Sequence, residues 1–186
     1  MKIRGGAARG RTLSAPKGKD IRITADRIKE SLFQILPEMT GCRFLDIFAG
    51  TGNIGIEALS REAKTADFIE INRRHALVIQ SNLERCGFQR LSEIIIAPAD
   101  RGLQILADKL RKYEVIFADP PYNRGLADQV LELLDRHQLL PEGGILIVEH
   151  SRHESCNERG SFVLSNRRTY GDTVLSFFKC SPGGTN

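Results

Sequence analysis

The sequence predicts an α/β fold: a doubly wound, mostly parallel sheet of seven strands, closed by a C-terminal antiparallel hairpin and preceded by a small basic hairpin. Three observations predict it. From Arg43 onward, short apolar runs alternate with amphipathic segments, the pattern of repeated β-α units. Runs such as Ile94-Ile95-Ile96 and Ile145-Leu146-Ile147-Val148 are apolar on both faces, as buried parallel strands are. Beyond residue 150 the alternation stops, and two strand-like segments, Ser161–Asn166 and Thr169–Lys179, meet near Tyr170-Gly171-Asp172. On pattern alone this last pair also fits a small accessory β unit.

The elements follow in order. Thr24 through Leu36 reads as a helix, with Thr24 as cap, Asp26 and Arg27 in the first turn, and Ile28, Leu32, Phe33, Ile35 and Leu36 as its apolar stripe. Pro37 ends it. Strands are expected at Phe44–Phe48, Ala66–Ile71, Glu93–Ala97, Glu114–Ala118 and Ile145–Glu149. Between them lie helices at Ile54–Arg61, Arg73–Cys86, Arg101–Lys112 and Leu126–Asp135, with Gly87 as a C-terminal stop. In such a sheet, ligands collect at the carboxyl ends of the strands.

Composition narrows the class. A chain of 186 residues, 41% hydrophobic and 27% charged, fits one globular domain with a short appendage. No apolar run approaches the roughly 20 residues that span a bilayer, and Met1–Gly6 has no apolar stretch behind its charges, so no signal peptide and a cytoplasmic location are expected. Cys42, Cys86, Cys156 and Cys180 are scattered and read as reduced thiols. Residues 1–30 hold nine Lys/Arg against three Asp/Glu, a charge of +6; the chain's total of +4 leaves −2 on the remaining 156. A basic arm on a mildly acidic body points to a polyanion, since phosphate contacts by Lys and Arg release counterions. The expected division is a basic arm over 1–23 and a catalytic domain over 24–186.

The apolar run Val115–Ala118 closes in Asp119-Pro120-Pro121-Tyr122. That ending suits methylation of an exocyclic amine on a planar base. The amine lone pair is delocalised into the ring until its N–H groups are held by acceptors, here the Asp119 carboxylate and the Pro120 carbonyl. Two prolines fix φ and carry no N–H, which keeps the turn stiff. Tyr122 offers a flat face for a base taken out of its helix.

Asp46-Ile47-Phe48-Ala49-Gly50-Thr51-Gly52 follows the first strand and enters a helix through Asn53-Ile54-Gly55. Gly50, Gly52 and Gly55 satisfy the dinucleotide fingerprint, and Glu70 lies near its ribose position, so a nicotinamide-dependent oxidoreductase competes. Asp46 argues against it: a carboxylate there repels a pyrophosphate but attracts the cationic amino-acid end of S-adenosylmethionine. In the same reading, Glu70 accepts both ribose hydroxyls. Asp100 accepts from the adenine amino group, with Ile71 and Ala99 beside the ring, or caps the next helix.

The chain resembles the RsmD-like 16S ribosomal RNA guanine-N2 methyltransferases over nearly its whole length. The likeness is carried by Ile3–Gly6 with Arg9-Gly10-Arg11, Arg22–Arg27, Asp46–Arg61, Asp119–Tyr122 and Tyr170-Gly171-Asp172-Thr173. It implies a class I methyltransferase fold, and a cytosolic enzyme acting on one guanosine of 16S rRNA in the small ribosomal subunit or its assembly intermediate. Similar proteins usually carry Pro at position 23 and often Ser or Thr at 25, where this chain has Ile23 and Ala25. The Arg22–Arg27 stretch is expected, by resemblance, to help close the cofactor or RNA site.

RNA contacts are expected from Arg4, Arg9, Arg11, Lys17, Arg22 and Arg27, with Arg167 and Arg168 at the tail hairpin either adding phosphate contacts or forming a solvated turn. His150-Ser151-Arg152-His153 reads as loop rather than metal cluster, and a monomer without bound metal is expected. Rival functions are an adenine-N6 methyltransferase on DNA or RNA, a protein-glutamine methyltransferase, and a noncatalytic RNA-binding assembly factor. The first lacks room for a target-recognition domain, and the second more typically carries Asn at position 119. The third leaves Asp46, Glu70 and Asp119 unexplained.

Overall fold

A computed structural model of the chain describes residues 1–15, 26–122 and 125–181. Seven strands form a mixed sheet, and the chain divides into compact units of residues Met1–Pro98 and Ala99–Asn186. Among the described residues, no helix is long and apolar enough to cross a membrane.

In the first unit, α1 (Asp26–Ile35), α2 (Asn53–Ser60) and α3 (Arg73–Cys86) accompany β1 (Arg43–Ile47), β2 (Thr65–Glu70) and β3 (Ile94–Ile96). The strands are parallel in the order β3-β2-β1, with Arg43 opposite Thr65 and Phe68 opposite Ile94. β1 stops one residue earlier than expected because Phe48 takes φ 61°, a left-handed conformation that leaves the strand. β3 corrects the sequence reading more sharply. It is an edge strand of three residues, and Ile96 is 51% exposed rather than buried on both faces. Gly87 at φ 80° caps α3 as predicted, donating to the Leu83 and Glu84 carbonyls. Thr24, the expected α1 cap, lies outside the described residues.

Residues 1–13 double back on themselves, Lys2 bridging Thr12 and Ile3 exchanging backbone bonds with Arg11 and Gly10. Ile3, Ala8 and Leu13 are buried, so this hairpin contributes to the core of its unit. It packs on α2: a Cβ added at Gly6 falls 1.5 Å from the Ser60 carbonyl oxygen, an approach that only glycine allows.

In the second unit, α4 (Ala99–Asp108) and α5 (Leu126–His137) accompany β4 (Val115–Ala118), β5 (Ile145–Ser151), β6 (Phe162–Tyr170) and β7 (Thr173–Cys180). The order is β4-β5-β7-β6, with β4 and β5 parallel and β7 antiparallel to both of its neighbours. The predicted closing hairpin is present, turning at Gly171 with φ 63°. α4 begins two residues early and ends four early, where Leu110 adopts φ 54°. β5 runs two residues past its predicted end because His150 and Ser151 pair with Val174 and Thr173 of β7. His150 is therefore a buried strand residue, not a loop residue; its ring nitrogens meet the Ser151 carbonyl at 2.8 Å and Ser176 Oγ at 2.9 Å. No disulfide joins the four cysteines, and burial pushes the Cys156 thiol up to about 12.

Candidate cofactor and substrate sites

The loop after β1 is left-handed at alternate residues, Phe48 (φ 61°), Gly50 (57°) and Gly52 (74°), before α2 begins at Asn53. The path turns the backbone tightly over the sheet's carboxyl edge, and Gly52 opens the helix without a side-chain cap. Gly55 is required by packing: a Cβ there would lie 2.4 Å from the Phe68 ring. At Gly50 a Cβ would meet only the Phe48 carbonyl, at 3.9 Å, leaving room beside the backbone. Ala49 and Thr51 are buried.

Two carboxylates flank this loop. Asp46, inside β1 and 3% exposed, accepts the Gly55 amide at 2.9 Å. Burial raises its carboxyl to about 8; the Gly55 bond opposes the rise and the nearby Glu70 charge adds to it. Glu70, the last residue of β2, accepts the Gly50 amide at 2.8 Å and the Asn72 amide at 2.7 Å. Asn72 itself caps α3 through Arg74, so Glu70 is not the cap. Its two oxygens retain further lone pairs for hydroxyl donors. Ile71, just beyond, is 66% exposed.

In the second unit, Ala99 and Asp100 begin α4. Asp100 is exposed in the first turn of α4 and sits within the helix rather than before it. Asp119 leaves the carboxyl end of β4 half-buried, Pro120 is buried and Pro121 exposed. Tyr122 is pinned by its hydroxyl, 3.3 Å from Thr173 Oγ1 and 3.4 Å from Glu149 Oε1. Glu149 is wholly buried in β5, and Thr173 opens β7 at the hairpin turn. In the sequence Thr173 stands out as part of a motif, and Glu149 as a strand end beside His150. The available signal was a carboxylate closing the apolar run Ile145–Val148, the pattern that singled out Asp119.

The basic residues divide by environment. Arg4 pairs with Asp26 and approaches Glu30 at 3.5 Å, and the Asp26 bond raises its pKa further. Arg11 donates to the Arg85 carbonyl. Arg9 and Arg27 are exposed. Lys17 and Arg22 lie outside the described residues. Arg167 and Arg168 stand within β6, not in a turn. Arg167 donates to Ser176 Oγ at 3.1 Å and to the Cys156 carbonyl at 2.6 Å. Among the described residues no acid, Cys or His group is arranged to hold a metal ion.

Comparison with known proteins places this geometry. A family model described as conserved hypothetical protein 95 matches residues 1–179. The chain is 35% identical to ribosomal RNA small subunit methyltransferase D of Escherichia coli K12 over 152 residues, 80% of this chain and 74% of that one. A hypothetical protein of Thermus thermophilus superimposes with a TM-score of 0.82 at 28% identity, over 96% of this chain and 99% of that one. An RNA methyltransferase of Salinibacter ruber, solved with S-adenosyl-L-homocysteine, superimposes with a TM-score of 0.68 at 12% identity over 87% and 95%, a likeness of fold alone. The fold is that of a class I, Rossmann-like methyltransferase. The chain belongs to the conserved hypothetical protein 95 family, the RsmD-like S-adenosylmethionine-dependent methyltransferases. Its own residues fit that cofactor: the charge on buried Asp46 is opposed by Glu70 and eased only by a backbone amide, the setting a ligand cation relieves.

Proposed function

We propose that the protein methylates the exocyclic N2 amine of a guanosine in 16S rRNA of the small ribosomal subunit, with the target base turned out of its helix. The carrying observation is Asp119-Pro120-Pro121-Tyr122 at the carboxyl end of parallel β4, in a chain of this methyltransferase family. The E. coli relative's name supports rRNA as the substrate class. The +6 charge of residues 1–30 supports a polyanionic partner.

The donor supplies an electrophilic methyl group on a sulfonium. In this reading Asp46 takes the cationic amino-acid end, and the Ala49–Asn53 backbone lies along it. Glu70 accepts the ribose hydroxyls, Asp100 the adenine amino group, and Ile71 and Ala99 flank the ring. Asp119 and the Pro120 carbonyl accept the two N–H groups of the target amine, turning its lone pair toward the methyl. Tyr122 stacks on the base, its ring held by Glu149 and Thr173. After in-line transfer the ammonium gives its proton to Asp119 or water, so Asp119 orients and stabilises charge rather than acting as a strong base. Residues 1–23 serve RNA contact and 24–186 the transfer. The protein works as a monomer in the cytoplasm.

The test is labelled-methyl transfer from S-adenosylmethionine to small subunits lacking the modification, followed by nucleoside mass spectrometry. N2-methylguanosine supports the proposal. N6-methyladenosine keeps the chemistry and overturns the base. Cofactor binding without transfer to subunits or naked rRNA points to a different amine acceptor.

A further inference from the structure

The N-terminal segment is tied to the glycine loop at three places. Lys29 Nζ, wholly buried, donates to the Lys2 carbonyl at 2.7 Å and to Asn53 Oδ1 at 2.8 Å, and lies 3.1 Å from Glu57 Oε2. One ammonium thus joins the segment, the first residue of α2 and a carboxylate one turn further on. Asn82 makes the second tie. Its Oδ1 accepts the Ser14 amide at 2.8 Å, and its Nδ2 lies 3.1 Å from each of the Ser14 and Thr51 carbonyls. In the third, Thr51 Oγ1 meets Met1 Sδ at 3.4 Å. Glu57 closes the arrangement by accepting the Arg4 amide at 2.9 Å and the Gly5 amide at 2.8 Å.

Asn53 shows what this bracing leaves available. An ammonium only donates, so the atom facing Lys29 is the amide oxygen. The Asn53 amide is thereby fixed, and its Nδ2 is buried without a hydrogen-bond partner. A buried donor left in that state is costly unless a ligand satisfies it. The loop that presents this donor is held by Lys29 and Asn82, and both side chains also bond the segment before Ala15.

We infer that Lys29 is a positioning residue for the cofactor loop, and that through it the basic N-terminal segment and the cofactor site are coupled. A polyanion held by the segment steadies the loop and raises cofactor affinity; bound cofactor raises affinity for the polyanion by the same factor. The inference rests on the proposed function, in which the loop holds S-adenosylmethionine and the segment contacts RNA.

The first experiment uses the wild-type chain. Binding of protein-free small-subunit rRNA is measured by fluorescence anisotropy with and without saturating S-adenosyl-L-homocysteine. An affinity about five-fold tighter with the ligand is expected; equal affinities overturn the coupling. The second uses Lys29→Met with Glu57→Gln, which removes both charges together and leaves an acceptor for the Gly5 amide. The folded variant, checked by circular dichroism, is expected to bind S-adenosyl-L-homocysteine about ten-fold more weakly and to lose the RNA effect. Wild-type affinity and an unchanged RNA effect in that variant overturn the role of Lys29. A wild-type chain that fails to bind S-adenosyl-L-homocysteine sinks the proposed function and the coupling with it, whereas binding without coupling sinks the coupling alone.

Discussion

Gly50 donates its amide to Glu70 Oε2 at 2.8 Å, so the glycine loop after β1 hangs on a carboxylate at the end of β2. Glu70 accepts the Asn72 amide with its other oxygen. Glu70→Ala should therefore lose both the loop strut and the proposed ribose contact. The expected result is about ten- to hundred-fold weaker binding of S-adenosyl-L-homocysteine by calorimetry. An unchanged Kd removes Glu70 from the site.

In the proposed site, Asp46 should make cofactor binding depend on pH. Its folded pKa, about 8, lies above the ordinary 3.8, so the native state keeps a proton that the unfolded chain has lost. This group's contribution to stability is therefore neutral at acid pH and becomes steadily less favourable from about pH 4 to about pH 8. A cation docked against it favours the ionised form, so binding expels the proton. Affinity should rise with pH up to about 8 and then level. Calorimetry at pH 7 in two buffers of different ionisation enthalpy should register proton release, and Asp46→Asn should abolish it.

Asp119→Ala should stop turnover while leaving cofactor Kd within a few-fold, because the proposed mechanism has the side chain act on the target amine. Single-turnover assays with calorimetry alongside separate the two. Parallel losses in both would contradict the assignment.

The proposed site gives the Tyr122 ring and hydroxyl different roles. Tyr122→Phe keeps the stacking face and gives up the Thr173 and Glu149 contacts, so a few-fold fall in kcat/KM is expected. Tyr122→Ala also removes the face, for a loss of about ten- to hundred-fold, seen mainly as a higher KM for RNA. Equal losses would shift the role from ring to hydroxyl.

Gly6→Ala should destabilise the fold by about 3 kcal/mol or more, since the new methyl would strike the Ser60 carbonyl and φ is 72°. Thermal unfolding measures this as a drop in Tm. A Tm within a degree of wild type would show that the hairpin lifts away from α2 at little cost.

How much of this was legible depends on where each residue's environment is decided. Asp46, Glu70 and Asp119 stand out in the sequence because each places a charge at the end of an apolar run, and that contrast survives folding. Strand and helix limits were less legible. β5 reaches Ser151 only because β7 is there to pair with it, and Phe48 and Leu110 end their elements through left-handed φ that no propensity signals. Lys29 and Asn82 read as ordinary polar positions on helix surfaces. They are buried because residues 1–15 return over α1, α2 and α3, a long-range contact invisible to local pattern. The same contact brings Arg4 into an ion pair with Asp26.

Among the described residues, β6 is an edge strand of the sheet. Arg167, Arg168 and Thr169 are exposed along it, and its pairing with β7 slips between Leu164 and Asn166. An edge strand invites another strand, but like charges and a broken register make a poor template. At high concentration two copies meeting here would face mutual repulsion instead of a ready ladder. The margin proposed to touch phosphate should thus also discourage fibrous aggregation.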